Sequence, residues 1–256
     1  YMSIALQVAL VMVTILVVLL VIGAPIGVAI GMSSAVSMIC MIPADVSFAT
    51  SAQRIFAGSN SFSLIAIPFF ILAGNIMNNG GIATRLVNCA KVISGRMPGA
   101  LAQSNVVANM LFGAISGSGA AAAAAMGGTI GPLEEKEGYD KNYSTAVNVA
   151  SAPVGMLIPP SNTMIVYSSV AGSVSIAALF MAGYIPGLLW GGAVMILAGI
   201  MAKKRGYQAE QRVPVKVALK TFWQAIPSLL LIVIVIGGIL GGIFTATEGS
   251  AIAVVY

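Results

Sequence analysis

The sequence contains no histidine and very few charged residues. Of its 256 residues, 7% are charged and 59% are hydrophobic, and the mean hydropathy is +1.00. A soluble domain carries about 25% charged residues. The composition therefore predicts an all-α polytopic membrane protein that lies in a lipid bilayer. The net charge of +5 is spread over connecting loops, so it indicates membrane topology and not a nucleic-acid partner.

The absence of histidine excludes whole classes of chemistry. Ser–His and Cys–His catalysis, imidazole metal sites and histidine proton relays all need this side chain. Cys40 and Cys89 are isolated and do not have the spacing of a metal site. An intramembrane protease built on Ser118 is disfavoured, because paired membrane aspartates are absent as well. We therefore expect no enzyme and no organic cofactor, while a passive channel or a structural subunit stays open as an alternative.

Long apolar runs divide the chain into spans and connecting segments. The first run covers 19 residues, which is long enough to cross a bilayer and too long for a signal peptide. A start on Tyr1 indicates a fragment or a trimmed chain. We predict complete spans at 4–22, 26–42, 62–77, 176–201 and 226–244, interfacial amphipathic segments at 45–60 and 80–99, a basic loop at 202–220, and an unfinished element at 245–256.

Two short apolar arms, at 100–115 and 120–133, predict a re-entrant helical hairpin. At about 1.5 Å per residue the arms measure about 24 and 21 Å, which is short for a core of about 30 Å. Two short full crossings are the alternative. The hairpin places 11 of the 12 basic residues on one side, with Arg54 opposite. By the positive-inside rule that side is cytoplasmic and the N-terminus is periplasmic. Asp45, Asp140 and Glu134–Glu137 are interpreted as solvated loop charges, which leaves Glu248, near the unfinished element, as the one candidate inside a span and gives a proton relay little support.

The hairpin turn and a second break interrupt this apolar sequence. The turn reads Ser116-Gly117-Ser118-Gly119, and the second break reads Pro159-Pro160-Ser161-Asn162 inside a span at 143–171. Prolines free the preceding carbonyls, hard cations prefer such oxygens, and a restarting helix points N–H groups at an anion. A packing bend and a proline kink are the plain alternatives. The predicted substrate-binding residues are Ser116, Ser118, Gly119, Ser161, Asn162 and Thr163. The predicted Na⁺-binding residues are Ser116, Gly117, Gly155, Ile158, Pro159, Pro160 and Ser161.

The run FGAISGSGAAAAAAMGGTIGPLEEKEGYDKNYSTAVNVASAPVGMLIPPSNTMIV resembles a known family. Together with PIGVAIG, IPFFILAGNIM and TATEGSAIAVVY, it is similar to the large membrane subunit of TRAP (tripartite ATP-independent periplasmic) transporters. The turn departs from the family's usual GSSVAT, because this chain reads Gly117-Ser118-Gly119-Ala120-Ala121-Ala122 and so has Gly119 and Ala122 where the family has hydroxyl residues. This departure leaves Ser116, Ser118 and backbone groups as the candidate ligands at the turn.

The resemblance implies a transporter of the bacterial inner membrane. Such a subunit imports organic acids, of the dicarboxylate or sugar-acid type, on a Na⁺ gradient. It works with a small membrane subunit and a periplasmic binding protein that delivers the carboxylate substrate. The implied fold has two inverted repeats in an elevator-type transporter, of which this chain holds the first. The implied domains are scaffold helices at 1–99, half of the transport domain at 100–172, and a scaffold span with the start of the second repeat at 173–256.

Overall fold

The computed structural model describes residues 4–172, 174–207 and 214–256. All regular secondary structure in these ranges is helical, which confirms the predicted all-α class. The described residues form two compact units that divide between Ser61 and Phe62.

The first unit is a chain of three helices. α1 (Ile4–Val21) packs on α2 (Ile26–Ile39), and α2 packs on α3 (Ala44–Ser59). Proline stands directly before α2 and α3, where its fixed φ suits a helix start. The Ser47 hydroxyl donates to the Ala35 carbonyl at 3.0 Å and holds α3 against α2. No residue of α1 is buried within the chain.

The second unit contains eleven helices among the described residues, and one of them is almost fully buried. A 3₁₀ turn over Phe62–Ile65 leads into the first of them. In chain order the helices are α4 (Ala66–Asn79), α5 (Ile82–Ser94), α6 (Ala100–Ser116), α7 (Gly119–Thr129), α8 (Gly131–Lys136), α9 (Lys141–Ser151), α10 (Val154–Leu157), α11 (Asn162–Ala171), α12 (Ile176–Arg205), α13 (Val215–Leu240) and α14 (Ala246–Val255).

The buried helix is α6, which has 14 of its 17 residues buried. It contacts α4, α5, α7, α9, α10 and α12. The side chains of a helix that protein covers on all sides are expected to be apolar, or to be polar with hydrogen-bond partners inside the protein. The Ser104 hydroxyl accordingly donates to the Ala100 carbonyl at 2.7 Å and shares a hydrogen bond of 2.9 Å with Ser94. Both arms of the hairpin, α6 and α7, are therefore fixed to protein.

Side chains of α6 and α9 tie α12 to the hairpin. Gln103 donates to the Met195 carbonyl and Tyr143 donates to the Ala198 carbonyl, both at 2.8 Å. The indole of Trp190 on α12 donates in turn to a carbonyl of α9 at 2.9 Å. Gly187 lets α12 approach α10 closely, because a Cβ there would lie 2.7 Å from the Ile158 side chain.

Four uninterrupted helical segments are long and apolar enough to span a membrane. They are Ile4–Val21, Phe62–Asn79, Ile176–Arg205 and Val215–Leu240. Lys141–Leu157 and Asn162–Ala171 form a further apolar pair, bent by 47° at the second break, which is either a broken span or a re-entrant loop. The polytopic membrane class is thus confirmed.

Three predicted segments differ from the structure. α2 ends at Ile39 and has 14 residues, so it is shorter than the predicted span at 26–42. α5 buries its apolar face against α6 and α13, so protein covers the face that the sequence assigned to the membrane surface. α13 begins at Val215, which is earlier than predicted. The basic residues at its start therefore lie on the exposed face of a helix and not in a loop. The remainder of the predicted basic loop, at 208–213, lies outside the described residues.

Candidate functional site

The hairpin turn consists of two residues between α6 and α7. Gly117 ends α6 with φ 62°, a left-handed conformation that glycine adopts without strain. Ser118 then caps α7, since its hydroxyl accepts the Ala121 N–H at 3.3 Å. The Ser116 hydroxyl is buried and reaches only the backbone of Ser118, at 3.4 Å. The turn therefore combines backbone groups, the buried Ser116 hydroxyl and the partly exposed Ser118 hydroxyl in a chain region without ionisable side chains.

The second break separates α10 from α11. Ile158 is extended, the Pro159–Pro160 peptide bond is cis, and Ser161 caps α11 by accepting the Met164 N–H at 3.4 Å. The Ser161 hydroxyl also donates to the Met156 carbonyl at 2.5 Å. That bond satisfies one of the carbonyls that the prolines free, so Ser161 holds the break together and its hydroxyl is already engaged.

The two breaks meet. The Asn162 N–H donates to the Gly117 carbonyl at 3.3 Å, so the restart of α11 faces the end of α6. A Cβ on Gly117 would lie 3.1 Å from the Pro160 carbonyl oxygen and 3.2 Å from Asn162 Oδ1. Asn162 Oδ1 is buried and has no hydrogen-bond partner in the structure. Two oxygens thus converge on the space beside Gly117, and one of them lacks the donor that a buried oxygen requires.

Glycines bring the surrounding helices into backbone contact. Gly113 on α6 lies against Gly155 on α10, and a Cβ on either would collide with the backbone of the other. A Cβ on Gly119 would lie 3.0 Å from the Ala152 carbonyl oxygen. The end of α6 and the hairpin turn therefore lie close to the backbone of the helices on both sides of the second break.

A cavity of about 280 Å³ opens beside the hairpin turn. Asn75 and Asn78 on α4 line it together with Ser116 and Ser118. None of its lining side chains among the described residues is charged. The sequence analysis did not predict either asparagine. Two amides three residues apart lie on one face of a helix, and their presence on an apolar helix is the signal that could have identified them.

The predicted site residues divide into two groups. Gly117, Pro160 and Asn162 come together at the meeting of the breaks, and Ser116 and Ser118 lie between that point and the cavity. Gly119, Gly155 and Ile158 instead pack against neighbouring helices, Ser161 and Pro159 shape the break, and Thr163 is exposed on α11. The substrate-binding and Na⁺-binding roles of all of them stay predictions.

A buried amide network joins α6 to α9 behind the turn. Asn109 Nδ2 lies 2.8 Å from Asn105 Oδ1, 3.0 Å from Asn148 Oδ1 and 2.8 Å from Ser151 Oγ. One NH₂ group carries two hydrogens, so three acceptors compete for it. The sequence analysis did not single out these residues. Their contacts fix α9, and through it the broken helix, against the hairpin.

One predicted loop charge proves to be buried. Glu134 on α8 is 1% exposed, whereas Glu135 and Glu137 are exposed as predicted. Burial raises the pKa of Glu134 to about 7, and the nearby Ser144 hydroxyl opposes the shift. The interpretation of 134–137 as uniformly solvated was therefore wrong. A helical turn points one side of α8 into the protein even where the local sequence is charged.

Apolar helices, a bent helix pair and a hairpin whose turn meets the break are features typical of membrane permeases. The chain belongs to the family described as tripartite ATP-independent periplasmic transporter, DctM component, whose model matches residues 13–256.

Curated relatives agree with this assignment. The chain is 54% identical to the uncharacterized protein YgiK of Salmonella typhimurium, over 88% of this chain and 52% of that protein. It is 42% identical to the C4-dicarboxylate TRAP transporter large permease protein DctM of Vibrio cholerae, over 83% of this chain and 47% of that protein. It is 40% identical to the sialic acid TRAP transporter large permease protein SiaM of the same species, over 80% and 48%. The chain spans about half the length of these relatives.

Proposed function

We propose that the chain is part of a permease that imports an organic acid together with Na⁺, and that the meeting of the two breaks is its cation site. The single observation that carries this proposal is the convergence of the Pro160 carbonyl and Asn162 Oδ1 on the space beside Gly117. The inverted repeats, the elevator movement and the division at residues 99 and 172 are parts of the same proposal.

The chemistry of this convergence favours a hard monovalent cation. Both oxygens are neutral, and Asn162 Oδ1 is buried without a donor. A buried acceptor without a partner costs about 1–3 kcal/mol, which a bound cation would recover. The end of α6 also turns its carbonyls, the negative end of its dipole, towards this point. A neutral donor set suits Na⁺ better than a divalent ion, which usually takes carboxylate ligands.

The cavity beside the turn supplies the complementary features for an anion. Asn75 and Asn78 can donate from their amides, and the capped start of α7 presents backbone N–H groups near Ser118. The cavity has no lysine or arginine in its lining, so a Na⁺ ion at the neighbouring breaks would provide the positive charge. Relatives named for C4-dicarboxylates, sialic acid and isethionate support an organic acid as the substrate.

The family name implies the rest of the assembly. We propose that a periplasmic binding protein delivers the acid, that a small membrane subunit completes the transporter, and that the complex lies in the inner membrane with the N-terminus of this chain in the periplasm. In the predicted topology 11 of the 12 basic residues fall on one side of the membrane, which supports that orientation.

The test measures uptake by the full-length permease, reconstituted with both partners. Uptake should require a Na⁺ gradient and fail in K⁺ buffer. Asn162→Ala removes the unpaired oxygen, so the Na⁺ concentration for half-maximal uptake should rise about tenfold, which corresponds to the loss of one cation ligand worth about 1.4 kcal/mol.

Ser169→Ala is the matched control, because the Ser169 hydroxyl on the same helix bonds only to the Ile165 carbonyl. It should leave the Na⁺ dependence unchanged. Equal uptake in K⁺ would disprove the cation site, and uptake that merely equilibrates the acid without any gradient would show a passive channel.

A further inference from the structure

A second polar cavity lies at the opposite end of the hairpin, at the base of α7. It has a volume of about 350 Å³ and is lined by Asn105, Glu134, Ser144, Lys141 and neighbouring residues of α8 and α9. It shares no lining residue with the cavity beside the hairpin turn. None of its side chains is used in the proposed transport site.

Glu134 is the one acidic side chain that is buried among the described residues. Neither of its carboxylate oxygens has a hydrogen-bond partner within 3.5 Å. Ser144 Oγ and Asn105 Nδ2, in the same cavity wall, also lack partners. Structural carboxylates in protein interiors are normally paired with a cation or with several donors. This carboxyl group is therefore held beside a cavity without a cation, and only the nearby Ser144 hydroxyl favours its ionised form.

The charged and titratable groups around Glu134 do not supply that compensation. Lys141 on α9 lines the same cavity but is exposed, and Lys136 and Glu135 on α8 are exposed as well. Tyr139 lines the cavity from the following loop and Tyr143 lies near the carboxyl group on α9, and a phenol carries no positive charge that could balance a carboxylate. α6 contributes the neutral amide of Asn105, and α7 contributes Gly127.

We propose that Glu134 is a proton-binding site at the base of the hairpin. Protons reach it through this cavity, and the carboxyl group keeps its proton while α8 is packed against α9. An ionised carboxylate in this place would be both desolvated and unpaired, so losing the proton requires water or Lys141 to enter. Proton loss and loosening of the α8–α9 contact are thereby linked. The raised pKa of Glu134 agrees with this geometry.

The site is independent of the proposed Na⁺ coupling, so its test does not use transport. The full-length permease in lipid is titrated while infrared difference spectra record the carbonyl band of protonated carboxyl groups. One carboxyl group should titrate near pH 7, far above an ordinary glutamate. Glu134→Gln should abolish that component, and Glu135→Gln, which alters the exposed neighbour, should retain it.

Thermal unfolding gives a second measurement on the same variants. Because the folded state binds this proton more tightly than the unfolded chain, the melting temperature should fall as pH rises from about 4.5 towards 7. Glu134→Gln stays neutral at every pH and should remove this part of the decline, whereas Glu135→Gln should keep it. The proposal would be overturned if Glu134→Gln still showed a carboxyl group that titrates near neutral pH, or if the native permease showed none.

Discussion

Substituting Gly113 by alanine tests whether backbone contact holds the hairpin to the broken helix. A Cβ on Gly113 would overlap the backbone of Gly155, where no side chain can rotate away. Overpacking destabilises a protein by about 1–3 kcal/mol. Because backbone atoms block the added methyl group here, we expect a cost near the upper end of that range. Alanine also gains about 1 kcal/mol over glycine inside a helix. The net loss is then about 2 kcal/mol, or about 4–8 °C in melting temperature for a protein of this size.

The assay is thermal unfolding of the purified permease in detergent, followed by its size-exclusion profile. Gly128→Ala on α7 is the matched control, because nothing lies within 4 Å of a Cβ at that position. It should leave the melting temperature unchanged or raise it slightly, since only the helix propensity changes. If the two variants melt at the same temperature, α6 and α10 do not depend on this contact and the packing argument is refuted.

Two further predictions concern the segments that carry most of the basic residues. Cysteines introduced at Lys91, Lys136 and Lys204 should react with an impermeant reagent from the cytoplasmic side only, and periplasmic labelling at 136 alone would show that the hairpin crosses the membrane. Tyr207→Phe should lower the free energy of unfolding by about 1 kcal/mol, because the Asp140 N–H, now 2.8 Å from the Tyr207 hydroxyl, loses its acceptor. An unchanged melting temperature would contradict that assignment.

The sequence predicted the elements of the site better than their arrangement. Glycine and proline interrupt helices through local sterics, so the turn at Gly117 and the break at Pro159 could be placed from the sequence alone. Their meeting depends on how α6, α10 and α11 pack, and no local pattern encodes the hydrogen bond from Asn162 to Gly117. The proposed ligand roles depend on that packing as well as on residue type.

The burial of Glu134 could not be predicted from the sequence for a different physical reason. Its neighbours Glu135, Lys136 and Glu137 are charged, and such a run usually indicates a solvated segment. A single turn of helix between α7 and α9 nevertheless turns one of the four inward. Asn75 was missed because the sequence was searched for breaks, whereas this amide stands on an uninterrupted helix.

The bonds from Gln103 and Tyr143 to α12 end on main-chain carbonyls, those of Met195 and Ala198. Substitutions at these two positions of α12 therefore leave the acceptors in place, whereas loss of either donor releases one point of attachment. A slide of α12 by one turn, about 5.4 Å, would part both donors from their carbonyls together. A movement of the hairpin and α9 relative to α12 would therefore have to break both hydrogen bonds.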